Sequence, residues 1–192
     1  MKKVNIKDFI NFWEKYYDEG KYPDKIYFDC LKKKYWRKGD LDEIFEWKNG
    51  SKLSQKKKRI VNKIYNNLEE INNFRNIKHP SEVEFNNFYK NICCEVISSG
   101  LVWRIFLTHL TYPEDYPMID KFNFIAYSFL LNNILYNKKE VDEYLRKNGL
   151  KAYFPFRKFF LELNKKINNQ RRVDRALMAF GQFLTNPQKF KK

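Results

Sequence analysis

The chain has 192 residues, of which 38 are Lys or Arg and 23 are Asp or Glu, for a formal net charge of +15. With 43% hydrophobic and 18% aromatic residues it holds far more core-forming material than a disordered polycation, so it should fold, as one domain over 1–192 or as two lobes with a cleft. Six Gly and six Pro are too few for the turns of an all-β sandwich or barrel, which predicts a compact, all-α helical bundle.

In chain order, Phe9, Phe12, Trp13, Tyr16 and Tyr17 recur every three or four residues as one apolar stripe closed by Gly20. A second helix starts at Asp24, carries Ile26, Cys30, Leu31 and Tyr35, and ends near Gly39. Asp40-Leu41-Asp42-Glu43 reads as an acidic N-cap opening a short helix through Ile44, Phe45 and Trp47 to Asn49-Gly50. Ser54 then opens a long basic helix, with Ile60, Ile64, Leu68 and Ile71 on one face and Lys56, Lys57, Lys58, Arg59 and Lys63 on or near the other.

After Pro80, Ser81-Glu82-Val83-Glu84 is a Ser-x-x-Glu capping box for a helix through Phe85, Phe88, Tyr89, Ile92 and Val96. Ser98-Ser99-Gly100 interrupts, and Leu101 to Tyr112 is apolar almost all round, which predicts a central helix. Beyond the turn Pro113-Glu114-Asp115-Tyr116-Pro117, Asp120 precedes an apolar helix to about Tyr136. Three more are predicted near Lys139 to Lys147, Pro155 to Asn168 and Arg171 to Leu184, with Gly149 as a stop and Pro155 in a first turn. No stretch alternates with period two for long enough to predict a strand.

The surplus of cations and a pI near 9.6 suggest a polyanionic partner, nucleic acid first among them. The same richness in Lys, Asn, Ile, Tyr and Phe is what AT-rich codons would produce whatever the function. Three cysteines cannot all pair and none forms Cys-x-x-Cys, which points to a reducing compartment. Asp8 interrupts the N-terminus before a secretory h-region could form. The longest apolar run, Phe122 to Leu135, is broken by Asn123, Ser128, Asn132 and Asn133 and falls short of the ~20 residues of a membrane span. A cytoplasmic chain without a membrane partner is expected, and no motif specifies its oligomeric state.

His79 and His109 are far apart and lack metal-ligand spacing. His109, within Leu107-Thr108-His109-Leu110, reads as a hydrogen-bonded core histidine. There is no Gly-x-Ser-x-Gly elbow and no Gly-rich phosphate loop, so neither a metal nor a cofactor is called for.

The centre of the chain, ISSGLVWRIFLTHLTYPEDYPMIDKFNFIAY from Ile97 to Tyr127, resembles the core of the helix-hairpin-helix DNA glycosylase superfamily. The hairpin corresponds to Ser98-Ser99-Gly100-Leu101, the apolar helix to Val102 through Thr111, and the Pro-x-x-aromatic-Pro turn to Pro113 through Pro117. Asp120 then corresponds to the aspartate delivered to the next helix. DLDEIFEWKNG (Asp40 to Gly50) and RRVDRALMAFG (Arg171 to Gly181) resemble segments of uncharacterised bacterial proteins with a Tyr-Pro-x-x-Asp core of this type.

The resemblance implies a DNA-binding helical fold that excises a damaged or modified base, in repair or defence, with Asp120 as the catalytic carboxylate and the hairpin on the DNA backbone. Two departures shape that expectation. The family hairpin has two glycines two apart, and this one keeps only Gly100. Schiff-base glycosylases carry a hairpin lysine where Gly100 and Leu101 stand, so the resemblance implies a monofunctional enzyme using water. No Cys quartet follows, which excludes the iron–sulfur branch.

The residues carry part of this reading by themselves. An aspartate at a helix N-terminus accepts backbone N–H bonds, and its fixed charge there could stabilise the cationic sugar that develops as a glycosidic bond breaks; a helix cap alone accounts for it equally. Arg104 is the lone charge of an apolar helix and must reach solvent, a carboxylate or a phosphate. Lys121 is placed for a phosphate or for solvent, and the Lys56, Lys57, Lys58 and Arg59 run for a DNA groove or a solvated face. Trp103, Tyr116, Phe122 and Phe124 are candidates to stack on an extruded base, or simply core aromatics. Two further readings stand beside the glycosylase: a catalytically inactive module that binds DNA or RNA, and a helical protein-interaction subunit.

Overall fold

A computed structural model describes residues 5–77, 80–97 and 100–190. Eleven α-helices and no strand occur among the described residues, in two compact units. One unit joins residues 1–17 to residues 113–192, and the other comprises residues 18–112.

The first unit contains α1 (Ile6–Trp13), α8 (Lys121–Asn132), α9 (Lys138–Asn148), α10 (Leu150–Ile167) and α11 (Gln170–Thr185). α11 packs against α1, α8 and α10, and its stripe of Val173, Ala176, Leu177, Ala179 and Phe180 is buried. The aromatic stripe of α1 explains why an N-terminal helix joins the C-terminal half. Phe9 and Trp13 set their rings 5.2 and 5.0 Å from Phe180, and Trp13 lies 5.0 Å from Phe183. Arg172 closes the junction, holding Glu14 through two 2.7 Å hydrogen bonds and Asn11 through one of 2.6 Å. Asn133 and Asn168 end α8 and α10 in the left-handed conformation that Asn tolerates better than most residues.

The second unit contains α2 (Asp24–Lys32), α3 (Lys38–Asn49), α4 (Gln55–Asn66), α5 (Leu68–Arg75), α6 (Glu82–Phe88) and α7 (Leu101–Thr111). α7 is buried as its all-round apolarity predicts, with Ile105, Phe106, Leu107 and Leu110 fully enclosed. His109 is a core histidine, its Nε2 2.8 Å from the Tyr27 hydroxyl. The Ser81 capping box is present as read, with the Glu84 carboxylate accepting from the Ser81 N–H at 2.7 Å. Past Phe88 the helix continues as a π-helical turn, Tyr89–Cys94, which packs on α7.

Several local expectations are corrected: α1 ends at Trp13 rather than at Gly20, and α2 ends at Lys32 rather than near Gly39, leaving Tyr35 beyond it. The long basic helix is two helices, parted at Asn67 (φ −111°, ψ 20°), whose short amide side chain competes for the backbone and bonds the Lys63 carbonyl at 2.9 Å. α3 starts at Lys38 rather than after Asp40, because Asp40 serves as the third helical residue and accepts from the Arg37 N–H at 2.7 Å. Pro155 lies inside α10 rather than in its first turn, since the helix already starts at Leu150. No helix of the described residues is long and apolar enough to cross a membrane.

Candidate functional site

The segment from Pro113 to Asp120 is held by side chains of its own unit. Its carbonyls at alternate positions each receive a side-chain donor: Gln170 Nε2 to Pro113 O at 2.5 Å, Arg157 Nε to Asp115 O at 2.5 Å, and the Tyr153 hydroxyl to Pro117 O at 2.9 Å. Met118 and Ile119 are buried between turn and helix, and the Arg157 guanidinium lies 4.9 Å over the Tyr116 ring. An irregular segment with its polar backbone so tied loses most of its freedom.

Asp120 then caps α8. Its backbone is extended (φ −139°, ψ 178°), its side chain is half-buried, and Oδ1 accepts the Asn123 N–H at 2.8 Å. Asn123 is fully buried and hands the tie onward, its Nδ2 donating to Asp174 Oδ1 at 2.7 Å. Asp174 Oδ2 pairs with Arg171, which also donates to the Tyr17 hydroxyl and stacks on that ring at 4.7 Å. The remaining amide oxygen, Asn123 Oδ1, is buried and accepts no hydrogen bond from the described residues.

Neighbouring candidates in this unit take local partners. Lys121 pairs with Asp142 at 2.5 Å on the surface. Lys138 lies 4.9 Å over the Phe122 ring, and Phe124 is 2% exposed between Tyr127 and Tyr144, a core position.

In the other unit, Ser98 and Ser99 of the hairpin lie outside the described residues. Gly100 caps the start of α7 with φ +80°, a left-handed value that suits glycine, and apart from its chain neighbours no heavy atom of the described residues lies within 4 Å of where its Cβ would be. Leu101 is buried. Arg104 bonds the backbone: its Nε donates to the Ile97 carbonyl at 2.8 Å, tying α7 back to the chain before the hairpin. Lys57 comes to the same neighbourhood from α4, bonded to Asn49 and 5.7 Å over the half-buried Trp103 ring, which packs 4.9 Å from Phe45. Lys56, Lys58 and Arg59 are exposed. Thus one basic-run residue and one base-pocket candidate meet beside the start of α7, whereas Asp120, Tyr116, Lys121, Phe122 and Phe124 belong to the other unit.

No protein-family model, curated protein or solved structure matches the chain. Among the described residues no cluster of His, Cys, Asp and Glu could hold a metal ion. Sequence reasoning missed the buried Asn123–Asp174–Arg171–Tyr17 network. Its signal lay in the RRVDRALMAFG segment, where Arg171 and Asp174 stand one turn apart on the face that continues through Met178 and Gly181.

Proposed function

We propose that this chain is a DNA-binding protein of the helix-hairpin-helix glycosylase type that hydrolyses the N-glycosidic bond of a damaged or modified base, with Asp120 as its carboxylate. The observation that carries the reading is the clamped turn: donors from Tyr153, Arg157 and Gln170 hold the segment that delivers Asp120, far more restraint than a helix cap needs. A carboxylate fixed before the reaction stabilises positive charge on the sugar without reorganising as that charge forms, and it orients a water for attack. Gly100 and Leu101 offer no amine for a Schiff base, so water is the nucleophile and an abasic site the product. Within the second unit, Gly100 and the Lys57–Trp103 pair are the candidates for contact with DNA in this reading.

The second reading, an inactive module binding DNA or RNA, is favoured by one observation: Asp120 Oδ1 already serves as the α8 cap. Asp120→Asn separates the two, because Asn caps a helix about as well as Asp but carries no charge. Abasic-site formation is measured on duplexes carrying a panel of modified bases. The variant should keep the parent's unfolding midpoint and salt-dependent duplex affinity and lose at least about 100-fold in excision rate. Equal excision by variant and parent would remove Asp120 from the chemistry. Duplex binding without excision by the parent supports the inactive module, and no duplex binding even at low salt supports a protein-interaction subunit.

A further inference from the structure

In the second unit, the chain from Lys33 to Arg37 runs between α2 and α3, and of its five residues only Trp36 is buried. Trp36 is 2% exposed and pinned from several sides. Asn72 Oδ1 accepts its N–H at 3.1 Å, its indole N–H donates to the Cys30 carbonyl at 3.0 Å, and the Arg75 guanidinium stacks on its ring at 4.1 Å. Its neighbour Tyr35 is 53% exposed. At the end of α4, Tyr65 is 43% exposed.

These two tyrosines line one open groove of about 560 Å³, together with Asn66, Asn73 and Glu69 from the α4–α5 junction. Each ring has a cation over one face, which leaves the other for a ligand: Lys34 Nζ lies 5.3 Å from the Tyr35 centroid, and Lys38 Nζ 5.8 Å from that of Tyr65. The two partly exposed rings share one surface rather than standing singly. The amides and the carboxylate offer donors and acceptors to the edge of a planar ligand, Glu69 in particular to an exocyclic amino group. Lysines next to aromatic faces match a polyanionic backbone carrying flat bases.

We infer that the Tyr35–Tyr65 groove binds a single-stranded nucleic acid segment by stacking its bases on the two rings while Lys34 and Lys38 meet its phosphates. This inference stands on the groove alone and holds whether or not Asp120 is catalytic. DNA and RNA share the chemistry, and the test distinguishes them.

The experiment measures fluorescence anisotropy of end-labelled oligodeoxycytidine and oligocytidine of about ten residues with the full chain at low salt. The parent should bind, and Tyr35→Ala and Tyr65→Ala should each weaken binding by about 10-fold or more, the range of one lost base stack. Tyr35→Phe and Tyr65→Phe, which keep the rings, should bind within about 2-fold of the parent. Phe28→Ala, which removes a ring 41% exposed outside the groove, should change nothing. Circular dichroism and thermal melting verify that every variant is folded. A preference for one oligomer identifies the sugar recognised. Failure of the parent to bind, alanine variants that bind as the parent does, or phenylalanine variants as weak as the alanine ones would each overturn the inference. Loss of excision in Asp120→Asn with oligomer binding intact separates this groove from the proposed catalytic site.

Discussion

Gly181 of α11 lies directly against the main chain of Phe122 in α8: a methyl group placed at Gly181 would stand 2.6 Å from the Phe122 carbonyl carbon and closer still to its oxygen. Backbone atoms cannot step aside as a side-chain tip does, so the helices meet here only because position 181 has no Cβ. One residue later Asn123 bonds Asp174 of α11. Two ties thus hold the turn that Asp120 caps.

Replacing that glycine should therefore destabilise the protein even though Ala is the better helix former. Gly181→Ala is expected to cost about 1–3 kcal/mol from overpacking, read from the denaturant midpoint. Gly39→Ala is the control, because nothing lies within 4 Å of its Cβ position in α3. It should be neutral or gain up to about 1 kcal/mol.

The buried pair Arg171–Asp174 should behave asymmetrically. Both side chains are under a tenth exposed, so Asp174→Ala leaves a buried cation without its carboxylate and should cost about 3–5 kcal/mol. Arg171→Met combined with Asp174→Ala should recover part of that loss, since no charge is then stranded. Urea unfolding of the four proteins gives the coupling directly, and a double variant as unstable as the sum of its parts would refute the account.

Acid stability should carry the signature of Glu14. Its hydrogen bonds from Arg172 hold the carboxyl below the usual 4.5. A lowered native pKa adds stability above the unfolded value, and that stability is lost as pH falls through the native one. Glu14→Gln should thus be less stable than the parent near about pH 6, with the gap closing towards about pH 3. Added salt should narrow it, because the pair is partly exposed.

Thiol chemistry should divide the three cysteines. Burial pushes Cys30 and Cys93 up to about 12, so neither presents a thiolate near neutral pH, while Cys94 is partly exposed. A colorimetric thiol reagent should titrate one group in the native protein and three after denaturation, and Cys94→Ser should abolish the native reaction.

The helices were legible wherever the deciding interactions are local. Ser81 and Glu84 are three residues apart, and the capping box they form appears as read. The α7 run from Leu101 needed no partner to be recognised, because apolarity on every face leaves it no solvent side. The errors arose where one local signal had to be weighed against another: Asn67 within a continuing apolar period, and Asp40 as cap or as third residue. For the candidate site, Asp120 was recognisable as a cap and the Pro113 turn as a turn, but the donors that clamp it come from 36 to 57 residues away.

By itself the sequence determined the helical class, the capped helix starts at Ser54, Ser81 and Asp120 and the core role of His109, since 3.6-residue periodicity and capping chemistry act over a single turn. Only the tertiary structure decided that α1 joins the C-terminal half, that Arg171 reaches Tyr17 across 154 residues, and that Tyr35 and Tyr65 share one groove. Such pairings depend on how whole helix faces are buried against one another. The free energy that selects them is spread over many apolar contacts, and no short pattern of residues encodes it.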